Sequence, residues 1–352
     1  MSYGLNEAPS ATAVTIGAVT LANPFILAPL AGLTNWPFRR LAKEAGAGLT
    51  VTEMVSATAL VFKNRATLKL LETDPAVEKP FCVQLFGKNP DHIAEAARLA
   101  VDLGADIIDL NLGCPARKVV ANGHGAALLK DPPTITKILH ALVRAVKVPI
   151  TVKTRPAFAP KTGATVFELL PLFVDEGAAA ITLHPRLASE GFSGEADWQQ
   201  IARLAEKSPI PIIGSGDITS PAQALEKLTN YGAAAVMIGR GAKGQPWFFH
   251  QVLALWQRKI IPEISLTKRL STAERHAKLL FESMGPKAPF MLRKVLMWYT
   301  KTLRGAVDFR ARLSQETNLE NQLALLVECL ARHEILTANE QAEANEENKT
   351  RT

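Results

Sequence analysis

The strongest constraint on this chain is a repeated change of period. Eight short apolar runs recur along most of its length: FILAPL (25–30), LTVTEM (49–54), PFCVQLFG (80–87), IIDLNLG (107–113), PITVKTR (149–155), AAITLHPR (179–186), IPIIGSGD (210–217) and AAVMIGRG (234–241). Amphipathic stretches of helical period lie between most of them, including DHIAEAARLAVDLG, PPTITKILHALVRAV and WQQIARLAEKS, and PWFFHQVLALWQR (246–258) follows the last. Strands buried on both faces read as near-continuous apolar runs, as these do. Eight strand–helix units over about 240 residues match a closed (β/α)8 TIM barrel better than an open doubly wound sheet. Residues 14–258 are therefore expected to form the barrel, led in by a hairpin over 12–21 around Gly17 and an N-terminal extension, 1–13. The stretch between Ser56 and Lys79 is the least regular of the connections.

Strand signals vanish after about residue 264. TAERHAKLLFESM, PFMLRKVLMWYTKTL and SQETNLENQLALLVECLARHEIL read as three helices broken at Gly285-Pro286 and Gly305, which predicts a small all-helical domain over 264–336. The polar end, 337–352, is expected to be disordered. Charge is unevenly placed. Between Lys268 and Arg312 there are eleven Lys or Arg against Glu274, Glu282 and Asp308, a basic block of the kind that binds phosphate.

A hydrophobic fraction of 47% with 21% charged residues excludes disordered and fibrous classes. Cys82, Cys114 and Cys329 are too few and too scattered for a disulfide framework or a zinc cluster, so free thiols, a reducing cytoplasm and no metal are expected. The N-terminus lacks the basic and apolar regions of a signal peptide, and no run of about 18 apolar residues offers a membrane span. Nothing points to a protein partner.

In such a barrel, chemistry gathers at the C-terminal ends of the strands. Those ends carry Glu53, Gln84, Asn111, Lys153 with Arg155, and His184 with Arg186. The spacing within each of the last two pairs puts both side chains on one face. Cys114 stands just past the run 107–113, held by Pro115 and followed by a loop with Arg117, Lys118 and His124. GSGD (214–217) and IGRGAKG (238–244) end the last two strands, where phosphate is commonly held: glycine admits close approach of backbone N–H groups and Arg240 adds charge. A phosphate there, with Lys153 in mid-barrel and Gln84 on the third strand, suits flavin mononucleotide, with Lys153 set to stabilise charge on the reduced ring. A cysteine thiol of ordinary pKa, about 8.5, is protonated at neutral pH and can act as a general acid. Hydride from a flavin plus a proton from Cys114 would reduce an activated C=C bond, and the basic helical domain suggests that this bond belongs to a nucleic acid.

The motifs resemble those of the tRNA-dihydrouridine synthase family in its bacterial, FMN-dependent form. They are APLAGLTNWPFR (28–39), TEM (52–54), QLFG (84–87), DLNLGCPARKV (109–119), GAALLKDP (125–132), VKTR (152–155), GFSGEADW (191–198), GSGDI (214–218), MIGRG (237–241) and LRKVLMWY (292–299), spanning roughly 14–336. The resemblance implies an enzyme in which NADPH reduces bound FMN, and reduction of the C5=C6 bond of particular tRNA uridines. Cys114 would protonate C5 while flavin N5 delivers hydride to C6. It places FMN against Pro29, Leu30, Ala31, Gln84, Lys153, His184, Ser215, Gly216, Asp217, Gly239 and Arg240. Asn111, Arg155 and Arg186 would hold a flipped uracil, and Lys287, Arg293, Lys294, Lys301 and Arg304 the tRNA backbone. This sequence departs from the family pattern in HPRL (184–187), in Ser215 where Asn is usual, and in Pro156-Ala157-Phe158 after Arg155. Rival readings are a flavin barrel acting on a free pyrimidine, a lyase using Lys153 as a Schiff base, and a tRNA-binding protein without activity. The first leaves the basic domain unexplained, the second leaves Cys114 and Gln84 without a role, and the departures make the third conceivable.

Overall fold

The computed structural model describes residues 13–350, with 342–350 as backbone only. Of the expected N-terminal extension, all but Ala13 lies outside the described residues. Eight parallel strands, β1 Phe25–Leu27, β2 Leu49–Val51, β3 Phe81–Phe86, β4 Ile107–Leu112, β5 Ile150–Thr154, β6 Ala180–Leu183, β7 Ile212–Ser215 and β8 Ala235–Ile238, pair in sequence order. Strand β8 returns to β1, with Met237 opposite Ile26, and closes the barrel. Helices α1 Trp36–Glu44, α2 Pro90–Asp102, α3 Pro132–Ala145, α4 Val166–Asp175, α5 Trp198–Lys207, α6 Pro221–Asn230 and α7 Phe248–Trp256 wrap it. Their starts are written locally. Asn35, Asn89, Asp131 and Ser220 accept from first-turn N–H groups beside a proline, and Thr165 with Glu168 makes a capping box. Between β2 and β3 lie only the five-residue helices Ala57–Val61 and Arg65–Lys69, which matches the irregular sequence there.

One expected strand is interrupted. LTVTEM pairs only through Val51, and Val55–Ser56 then pairs again with β3. At the break the Thr52 hydroxyl takes the place of a backbone carbonyl, accepting from Gln84 N at 3.1 Å. The break turns Glu53 towards the first loop, where its carboxylate accepts from Gly32 N at 2.5 Å.

The N-terminal end of the barrel is plugged. The hairpin Thr15–Ile16 with Val19–Thr20 turns at Gly17 (φ +56°), and its Ile16 and Leu21 pack on Ile26, Val51, Ile107, Ile213 and Met237. With that end filled by apolar side chains, the C-terminal mouth is where a ligand can enter.

Beyond Trp256 the chain forms α8 Leu266–Met284, α9 Ala288–Tyr299, α10 Ala306–Gln315 and α11 Leu319–Thr350. They share a core of Leu280, Leu292, Leu296, Tyr299, Phe309, Leu313, Leu326 and Cys329. Two expectations change here. The helices number four among the described residues, because AVDFRARLSQ places Ala306, Phe309 and Leu313 on one buried stripe and the chain then breaks before Leu319. Residues 337–350, expected to be disordered, continue α11 as a helix, since this Ala-, Glu- and Gln-rich segment adds good helix formers to a turn already anchored at Leu330. Among the described residues no helix is long and apolar enough to cross a membrane.

The helices are fastened to the barrel at several points, of which Lys294 with Gly32 is at the mouth. Arg275 pairs with Glu44 of α1 at 2.5 Å, Lys69 Nζ donates to Ser283 O at 2.9 Å, and Lys294 Nζ donates to Gly32 O at 3.0 Å. His276 of α8 is buried in this seam, with its ring against Phe38 (5.9 Å) and its Nδ1 3.3 Å from the Tyr299 hydroxyl. Burial lowers its pKa from 6.5 to about 3. The unfolded chain therefore binds a proton that the folded chain refuses. The stability contributed is complete above 6.5 and is lost as pH falls towards 3. Urea unfolding of the native protein should lose about 2 kcal/mol at this residue between pH 7 and pH 5, and His276→Gln should unfold with a correspondingly shallower acid slope. Identical slopes in the two proteins would contradict the assignment.

Candidate active site

A cavity of 550 Å³ opens at the C-terminal mouth, a size ordinary for a cofactor or substrate pocket. Its floor is a chain of hydrogen bonds inside the barrel. The Thr151 hydroxyl donates to Asp109 Oδ1 at 2.6 Å, Gln84 Nε2 donates to Asp109 Oδ2 at 2.7 Å, and Asn111 Nδ2 donates to Gln84 Oε1 at 2.8 Å. Asn111 Oδ1 then accepts from the backbone N–H groups of Gly113 (3.2 Å) and Cys114 (3.0 Å). The sequence produces this because β4 alternates: Asp109 and Asn111 point inward, while Leu110 and Leu112 pack outward against the helices. The thiol-bearing loop is thus tied to the barrel interior, not merely draped over it. Gly125 (φ +59°) closes the same loop: a Cβ there would lie 2.9 Å from Cys114 O and 3.1 Å from Cys114 Cβ.

Lys153 stands opposite Asn111 in the β4–β5 register and lines the cavity with Cys114. Burial lowers its pKa to about 8, against the opposing pull of Asp109 and Cys114 and with the help of Arg155. Its ammonium has no hydrogen-bond acceptor among the described residues, so it lines the cavity with its hydrogen bonds open while Asp109 supports its charge from a distance. Asp109 moves the other way, raised by burial to about 6 despite its bonds from Gln84 and Thr151. His184 is held neutral, first by burial and then by Lys153, Arg155, Arg186 and Arg240. Arg186 Nη1 lies 3.3 Å from its Nε2, so that nitrogen accepts and Nδ1 carries the proton.

On the far side, the ends of β7 and β8 form a cradle. Gly216 (φ +123°) and Asp217 (φ +50°) turn the backbone sharply, and a Cβ at Gly216 would meet Ala196 Cβ at 2.9 Å and the His184 ring at 3.1 Å. Gly216, Asp217 and Arg240 line the cavity at this turn. Asp217 is braced. Burial alone would raise its pKa, but Arg186 (2.6 Å), Ala196 N (2.8 Å) and Arg240 (3.3 Å) together hold it below the usual carboxylate range. Ser215, the departure from Asn, spends its hydroxyl on Met237 O at 3.2 Å and ties β7 to β8.

The cavity therefore gathers Pro29, Leu30, Ala31, Gln84, Asn111, Cys114, Lys153, Arg155, His184, Ser215, Gly216, Asp217, Gly239 and Arg240. Arg186 is not brought to it. Its guanidinium is turned to Ser193 O, Gly194 O and Asp217, which its buried position demands, and it braces the 190–197 loop. Arg155 is at the cavity but is also a brace, with Nε donating to Gly113 O and Nη1 to Leu187 O and Gly191 O, each at 2.9 Å. Lys294 lines the cavity, whereas Lys287, Arg293, Lys301 and Arg304 lie outside it. Arg293 donates to Ser314 O at 2.7 Å and Arg304 pairs with Glu340. Sequence reasoning gave no role to Asp109, Phe192, Lys243 or Trp298. For Asp109 the signal was present, an acid two residues before Asn111 in an apolar strand. The other three reach the cavity only through loop and interdomain geometry.

Fold and cavity together define a parallel-barrel enzyme with its machinery at the C-terminal mouth. The family model for dihydrouridine synthase (Dus) matches residues 26–335, and the chain belongs to that family. It is 39% identical over 307 residues to a probable tRNA-dihydrouridine synthase of Rickettsia conorii, covering 86% of this chain and 91% of that protein. Against tRNA-dihydrouridine synthase B it is 40% identical over 315 residues in Xanthomonas campestris (88% and 93% covered) and 38% over 317 in Escherichia coli K12 (88% and 97%). Among solved structures, histamine dehydrogenase from Rhizobium sp. 4-9 shares the barrel fold at a TM-score of 0.54 and 14% identity, covering 75% of this chain and half of that one.

Gly216→Ala tests the cradle. The added methyl at φ +123° should cost about 1–3 kcal/mol of unfolding free energy in urea titration. A variant as stable as the parent would show that the turn is relaxed.

Proposed function

We propose that this protein is a tRNA-dihydrouridine synthase that uses FMN, reduced by NADPH, to saturate C5=C6 of specific uridines, with Cys114 as proton donor. The observation that carries the reading is the placement of Cys114: anchored through Asn111 at the cavity wall, one strand away from the cationic Lys153, with an anion cradle across the mouth. Membership of the family and the names of its relatives support the same assignment.

The residues present fit FMN. The cradle of Ser215, Gly216, Asp217, Gly239 and Arg240 is shaped for a phosphate, and Lys153 offers a cation to an electron-rich ring edge. Pro29, Leu30 and Ala31 would cover the ring, with Gln84 and His184 as neutral polar contacts; Gln84 already spends its amide on Asp109 and Asn111 and is held rigidly. When bound, reduced FMN supplies the hydride that C6 of the uracil receives.

Cys114 completes the reaction from the protein side. Its S–H bond breaks, the proton goes to C5, and solvent restores the thiol. Asn111 fixes the position of that thiol through the backbone, since both of its amide groups are engaged. Arg155 Nη2 remains available to a uracil carbonyl. A uridine in folded tRNA reaches this depth only by leaving its stack, and Lys287, Arg293, Lys294, Lys301 and Arg304 supply positive charge to the backbone, with Arg304 having to give up Glu340 to do so.

The purified protein should be yellow, and NADPH should bleach it without oxygen. Cys114→Ala should retain FMN and tRNA yet reduce tRNA at least about a hundredfold more slowly. A colourless protein that FMN cannot reconstitute would end the flavin reading, and near-parental turnover in Cys114→Ala would end the proton-donor role.

A further inference from the structure

At the seam between barrel and helical domain a lysine of the barrel, Lys243, to which the reaction above gives no role, stands beside Lys294 of α9. The loop after β8 meets α9 at Gly244 (φ +71°), where a Cβ would lie 2.6 Å from the backbone and Cβ of Trp298, so the two units touch backbone to backbone. Over the Trp298 indole sit two ammonium groups from different units, Lys243 at 4.6 Å from the barrel and Lys294 at 5.3 Å from α9. Both lysines and Trp298 line the rim of the cavity. The pKa of Lys243 is lowered, first by partial burial and then by the charges of Lys294 and Lys301. Glu53 feels Lys294, but its carboxylate is already taken by Gly32 N. Exposed lysines normally avoid one another. Two ammonium groups held over one ring repel each other, and an anion between them would offset that repulsion.

We propose that Lys243 and Lys294, over the indole of Trp298, form a subsite for an RNA phosphodiester next to the extruded uridine. This rests on the tRNA reading and adds to it a contact from the barrel itself. Position favours RNA: the lysines stand at the outer rim, on the helical side of the mouth, beside an aromatic ring of the kind on which nucleotides stack. The subsite spans both units, so one phosphate would hold the barrel and the helical arm to the same stretch of backbone.

The test is steady-state kinetics of Lys243→Ala and Lys243→Arg with tRNA lacking dihydrouridine, over a range of salt. Lys243 is exposed, and equal Tm values would confirm intact folding. Lys243→Ala should raise KM for tRNA about tenfold and reduce the slope of log K against log salt by about 1, with Lys243→Arg restoring both. Parental KM and slope in Lys243→Ala, measured against an active parent, would overturn the subsite alone. A higher KM for NADPH in flavin bleaching without tRNA would assign the lysines to the reductant's phosphates and also overturn it. A parent that fails to reduce tRNA would remove the functional reading, and the subsite with it.

Discussion

The site depends on a carboxylate buried inside the barrel. Asp109 is enclosed by Gln84, Thr151 and Lys153, and its two oxygens accept the bonds that orient the Gln84 amide and the Thr151 hydroxyl. Gln84 can present its carbonyl oxygen to Asn111 only because its amide nitrogen is taken by Asp109. Asn111 can turn its own oxygen to Cys114 N only because its nitrogen is taken by Gln84. Each link fixes the donor–acceptor sense of the next. Buried polar chains of this kind are favourable only when every member is satisfied. The position of a thiol in a loop is thereby decided by a residue five positions back on a strand.

The same carboxylate supplies the charge that opposes the burial of Lys153. Asp109 favours the ammonium and burial disfavours it, so the balance leaves a cation with a pKa near 8, charged at neutral pH yet without a bonded partner. A fully paired lysine would offer little to an incoming ligand, and one without Asp109 would hold its proton less tightly. The compromise keeps the charge and leaves its hydrogen bonds open.

Much of this was legible in the sequence, and the parts that were not share a cause. The eight strands, the plugging hairpin and the glycines after β7 and β8 follow from period and from local turn chemistry, both of which are written within a few residues. The inward set Gln84, Asn111 and Lys153 follows from strand alternation and lines the cavity. What the sequence did not disclose depends on partners far along the chain. Arg155 and Arg186 have the same spacing from Lys153 and His184, yet one reaches the cavity and the other is consumed by carbonyls of the 190–197 loop and by Asp217. The break in β2 depends on Thr52 meeting Gln84. The fourth helix was hidden because its buried stripe has only three members.

The division of labour between the arginines bears on how the departures from the family pattern are absorbed. Pro185 and Leu187 flank Arg186, and both contribute backbone carbonyls to the braces: Pro185 O accepts from Asp197 N at 3.0 Å and Leu187 O from Arg155 at 2.9 Å. A carbonyl is indifferent to the side chain of its residue, so these contacts survive the substitutions. Ser215 uses its hydroxyl within the sheet, where it donates to Met237 O. Pro185 and Leu187 thus fall where main chain makes the contacts. None of the departures falls on Cys114, on Lys153 or on the Asp109–Gln84–Asn111 chain behind them.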